Sequence, residues 1–73
     1  MDDNAVDAGK AWAGAVRQEL EDEGRTVAGG WPGTMTEARA RASQLGAAGL
    51  SAAERTRLAR ILYAAAKDTW AVS

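Results

Sequence analysis

Residues 51–71, SAAERTRLARILYAAAKDTWA, decide the fold. The run holds neither Gly nor Pro, and Ser51 and Glu54 open it at capping-box spacing, with Leu50 placed as a staple residue. At 100° per residue, Leu58, Ile61, Leu62, Ala65, Thr69 and Val72 share one arc. Ala59, Tyr63, Ala66 and Trp70 form a second stripe beside it, and Arg57, Arg60, Ala64 and Lys67 take the remaining side. The pattern predicts a helix over 52–71. Its two apolar stripes together exceed the ~100° arc that one core contact needs. Such a helix is either central, with a neighbour on each stripe, or it keeps one stripe for a partner.

Working back along the chain, Gly46 and Gly49 bracket a break, and a shorter helix is predicted over 35–46. Thr34 and Glu37 make another capping box, and Met35, Ala38, Ala42 and Leu45 form a seam. Before it lies the irregular stretch 24–34, where Pro32 and a set of glycines exclude a regular element. Val27 and Trp31 are too apolar to leave in water, so this loop is expected to fold back over an open end of the bundle. A first helix is predicted over 4–23, with Asp2, Asp3 or Asn4 as its cap and Gly24 as its C′ residue. Ala5, Ala8, Trp12, Ala15, Val16 and Leu20 share its inner face. Gly9 and Gly14 weaken it by ~1 kcal/mol each relative to Ala, but admit a close neighbour. The fold class is therefore all-α: one domain over 1–73, a small arrangement of two long helices and one short.

Composition limits how well such a chain can stand alone. Alanine supplies 18 of its 73 residues, the larger apolar side chains are few, and Phe is absent. A chain this short buries only about 60% of its unfolded surface. Dimerisation or a protein partner is expected to complete the core. The lack of Cys and His removes thiol nucleophiles, Ser-His-Asp chemistry and the usual zinc sites. Neither an enzyme nor a bound cofactor or metal is expected. No apolar run approaches the ~20 residues of a membrane span. The acidic start, Met1-Asp2-Asp3-Asn4, is unlike a signal peptide. The absence of Cys fits a cytoplasmic setting. Seven Arg against two Lys, with abundant Ala, matches the usage of a high-GC bacterium.

The charges are sorted along the chain. Residues 1–23 carry seven acids and two bases, whereas residues 24–73 carry seven bases and three acids. Glu19, Glu21, Asp22 and Glu23 crowd the C-terminal end of the first helix, where the macrodipole disfavours them by ~0.3–1 kcal/mol each. They either pair with arginines of the other helices, in this chain or a neighbour, or form an acidic recognition patch. Their spacing is not that of a calcium loop.

For partner binding the sequence nominates Tyr63 and Trp70, two turns apart, with Arg60 and Lys67 each about 60° around the helix. That is an apolar anchor with a charged rim. The competing reading packs both aromatics inside and leaves the cations merely solvated. The Gly-Gly-Trp-Pro-Gly-Thr loop lacks the Gly-Lys-Ser/Thr of a P-loop and no strand precedes it. Neither Gly46 nor Gly49 sets a helix-turn-helix register with small and apolar residues where DNA-binding motifs need them. The function expected is a small non-enzymatic regulatory or adaptor protein that binds another protein, or itself as a homodimer, through helical faces. The alternative is a nucleic-acid-binding domain that uses the Arg57/Arg60/Lys67 stripe.

Overall fold

A computed structural model describes residues 2–25, 29–45 and 49–72. Among them are three helices, α1 (Asp2–Asp22), α2 (Met35–Leu45) and α3 (Ala52–Val72). The all-α architecture is as expected, two long helices and one short. The expected boundary residue Gly46, and Val27 of the loop, lie outside the described residues.

The signals at the helix ends act as their chemistry requires. At the start of α2 the Thr34 Oγ1 accepts from the Glu37 N–H at 3.2 Å, while the Thr34 N–H donates to the Glu37 carboxylate at 3.2 Å. Ser51 accepts from the Glu54 N–H at 3.1 Å and donates its hydroxyl to the same residue's carboxylate, also at 3.1 Å. Helix α1 closes in a Schellman motif: Gly24 takes φ +73°, its N–H reaches the Glu21 carbonyl, and the Arg25 N–H reaches the Leu20 carbonyl. An L side chain tolerates that φ poorly, which is why glycine stands there. Helix α1 begins at Asp2, earlier than expected, so Asp3 and Asn4 lie in its first turn.

Helix α3 is the central element: α1 and α2 both pack on it and touch each other little. Gly9 lies directly over the Leu62–Ala66 turn, and the Arg17 guanidinium reaches the Trp70 carbonyl at 3.5 Å. Moving up α1 thus moves up α3, so the two long helices run parallel. The descending α2 sits between them in the chain. Because Arg17 is already level with Trp70, the last turn of α1 runs on past the end of α3. Measured from Gly9 over the Leu62–Ala66 turn, the stagger is about 8 Å, which added to helices of about 31 Å at 1.5 Å per residue accounts for the 40 Å length of the molecule.

The interior is built largely from alanine. Among the described residues Ala5, Trp12, Ala13, Ala38, Ala42, Leu58, Ala59, Leu62, Ala66 and Trp70 are buried, and Trp12, Leu58 and Leu62 are the large side chains with almost no exposure. The rotation of α1 differs from the expected one. Gly9 and Ala13 are buried and Ala15 is exposed, because the close approach at Gly9 turns that edge of the helix toward α3. Val16, Met35, Leu45 and Ile61 are only half-buried around the core, and Leu20 is half-buried without joining it.

Gly9 and Gly14 give opposite expectations. A Cβ on Gly9 collides with the Leu62 carbonyl oxygen and stands 2.8 Å from the Ala65 Cβ, whereas a Cβ on Gly14 meets nothing within 4 Å. Gly9→Ala should therefore lose about 1–3 kcal/mol through forced separation of the helices, despite better helix propensity. Gly14→Ala should gain about 0.5–1 kcal/mol. Urea denaturation followed by circular dichroism reads both, and equal shifts for the two variants would contradict the packing described.

Candidate functional site

The aromatic stripe nominated by the sequence is divided by the fold. Trp70 is 7% exposed and belongs to the interior. Its Nε1–H donates to the Gly29 carbonyl at 3.1 Å, and its ring meets Trp31 at 5.4 Å between centroids and 64° between planes. Trp31 in turn stands edge-to-face on Trp12, at 4.8 Å and 86°. The expectation that Trp70 offers its ring to a partner is corrected here. A short α2 leaves the upper part of the bundle open, and the loop before α2 fills it by wedging Trp31 between the indoles of the two long helices. Tyr63 is half-buried against the core, and Arg60 and Lys67 are exposed. The four nominated residues therefore do not form one exposed anchor with a rim.

Two arginines complete the aromatic cluster. The Arg17 guanidinium carbon lies 5.0 Å from the Trp70 ring centre, and that of Arg41 lies 5.0 Å from the Trp12 ring centre. At such exposed or half-exposed sites each contact contributes about 0.5–1 kcal/mol. Arg17 also brings positive charge to the C-terminal end of α3, where the helix dipole favours it. Sequence reasoning missed both contacts, since neither arginine is at helical spacing from its tryptophan. The Nε1–H groups of Trp12 and Trp31 are buried and find no acceptor among the described residues.

The remaining basic residues face outward. A shallow groove of about 320 Å³ runs between α2 and α3, lined by Arg39, Ser43, Ala52, Arg55 and Thr56. Arg57 and Arg60 continue the basic surface along the outer side of α3. Lys67 follows two turns after Arg60, on the side of the helix opposite its buried arc. The acidic group lies at the other end of the molecule. Glu19, Glu21, Asp22 and Glu23 are all exposed on the projecting end of α1. Glu23 pairs with Arg25 at 3.4 Å, and Asp22 accepts from Gln18 at 2.9 Å. The ion pair that Glu23 makes is thus with Arg25 of its own helix end.

Among the described residues no set of three acidic, His or Cys side chains gathers as metal ligands, and no helix is long and apolar enough to cross a membrane. No protein-family model matches the chain, and comparison with curated proteins and with solved structures finds no match.

The two nominated aromatics should respond differently to truncation. Trp70→Ala removes the ring that holds Trp31 and the Gly29 carbonyl, and should cost about 3–5 kcal/mol, enough to unfold much of a small domain. Tyr63→Ala, at a half-buried position, should cost no more than about 2 kcal/mol and leave a cooperative transition. Chemical denaturation of the two variants separates them; comparable small losses would return Trp70 to the surface.

Proposed function

We propose that this chain is a small non-enzymatic regulatory or adaptor protein that works in the cytoplasm by binding another protein through its helical faces. The observation that carries the reading is a sparse interior beneath an exterior whose charges are sorted along the chain. Most of the core is alanine, and the accessible surface of 4740 Å² exceeds the roughly 4,300 Å² typical of a monomer of this mass. A chain so thin gains much from a partner that covers one of its sides. Charge separated by end and by face selects and orients such a partner, and suppresses wrong ones. The exposed arginines Arg39, Arg55 and Arg60 and the half-buried Ile61 supply the charged rim and apolar margin of the proposed face.

A second reading, nucleic-acid binding, is favoured by one observation. Arg57, Arg60 and Lys67 occupy the side of α3 turned away from its buried arc, so the acidic α1 does not stand between them and a phosphate backbone.

The test compares affinity capture from the source cell by the wild-type chain and by an Arg39→Ala/Arg55→Ala/Arg60→Ala variant checked for unchanged helicity. A stoichiometric protein partner retained by the first and lost by the second is the expected result. Recovery of nucleic acid, with duplex affinity falling steeply as salt rises, would replace this reading with the second.

A further inference from the structure

We infer that the basic groove between α2 and α3 receives the acidic end of α1 from a second copy of this chain, in a reciprocal antiparallel pair. The inference rests on the protein-binding reading above and names the partner.

The groove gathers positive charge from two helices. Arg39 comes from α2 and Arg55 from the first turns of α3, with Ser43 and Thr56 as neutral hydrogen-bonding neighbours and the small Ala52 between them. Arg57 and Arg60 extend it along α3. The acid in that part of α3 is Glu54, and its carboxylate is engaged by the Ser51 hydroxyl at 3.1 Å. The first turn of α3 adds its own partial positive charge.

The acidic end is shaped to enter such a groove. It projects beyond the end of α3, since Arg17 is already level with Trp70. The Schellman closure at Gly24 and Arg25 holds it as a fixed helix end rather than a frayed one. Its Glu23–Arg25 pair is largely exposed, with 70% of the arginine side chain and 59% of the glutamate accessible, so solvent weakens that compensation. Four carboxylates stand where their own helix dipole opposes them. A guanidinium cluster from outside the chain relieves that opposition.

The placement of the two patches sets the symmetry. One lies beyond the C-terminal end of α3 and the other at its N-terminal end, on a molecule 40 Å long. A second copy laid antiparallel puts each acidic end on the other's basic groove. The two contacts are identical and the assembly closes as a twofold dimer rather than growing as a filament.

Sedimentation equilibrium on the full chain tests this, with circular dichroism confirming that each variant keeps its helices. The expected result is a monomer–dimer equilibrium whose dissociation constant rises at least about tenfold between about 20 and about 200 mM salt. Arg39→Glu/Arg55→Glu and Glu21→Lys/Asp22→Lys should each be monomeric alone, and their equimolar mixture should restore the dimer, because each then offers what the other lacks. A wild type that stays monomeric at low salt, a dimer indifferent to salt and to both variants, or open-ended growth would each overturn the inference. A monomer that still captures a different protein, and loses it with Arg39→Glu/Arg55→Glu, overturns the pairing while the adaptor reading stands.

Discussion

The close approach of α1 to α3 at Gly9 governs the rest of the structure. With no side chain at that position, the first helix rests almost on the backbone of the Leu62–Ala66 turn. The neighbouring contacts must then be made by small residues, and they are: Ala5, Ala13, Ala59 and Ala66 are all buried. Buried alanines add little transfer free energy each. Their contribution is proximity, since closely spaced backbones recover dispersion contacts that larger side chains would otherwise make. The same economy appears on α2, where the two fully buried positions are Ala38 and Ala42.

A bundle of closely spaced helices has no room for several indoles between its long elements, so the tryptophans collect where one helix is missing. Helix α2 has 11 residues against 21 in each of its neighbours. Trp31, carried in by the preceding loop, occupies the space that a longer helix would have filled. Its edge-to-face contacts with Trp12 and Trp70 join the loop to both long helices. Pro32 and the glycines on either side of Trp31 give the chain the turns it needs to enter that space. The arginines over Trp12 and Trp70 then serve as covers for the cluster as much as charges, their guanidinium planes being weakly hydrated and suited to aromatic faces.

With two of its arginines committed in this way, the chain keeps most of its other bases on α2 and α3, Lys10 and Arg25 apart, and its acids chiefly on α1. The net charge of −1 conceals that separation. Parallel packing of α1 on α3 carries the acidic end past the bundle instead of folding it against the basic side. The polarity of the molecule is thus a consequence of helix direction and stagger, and both follow from where Gly9 meets α3.

Local chemistry alone determined the three helices and the ends marked by Thr34, Ser51 and Gly24. Thr34 with Glu37, Ser51 with Glu54, and Gly24 after Asp22 are short-range signals, complete within a few residues, and each acts in the fold as its chemistry dictates. The two stripes of α3 were equally legible as an apolar arc too wide for one contact, because periodicity reports how wide such an arc is, but whether both were buried stayed open. What periodicity does not report is which neighbour lies on each stripe. Tyr63 and Trp70 have the same spacing whether they face solvent or a loop, and only the arrival of Trp31 from 39 residues upstream buries Trp70. The rotation of α1, which buries Ala13 and exposes Ala15, was likewise decided by tertiary contact, since alanine is too small to bias a helical face by itself. The partners of Arg17 and Arg41 and the distance between the acidic and basic ends belong to the same class. They depend on how helices are placed relative to one another, and no local pattern carries that information.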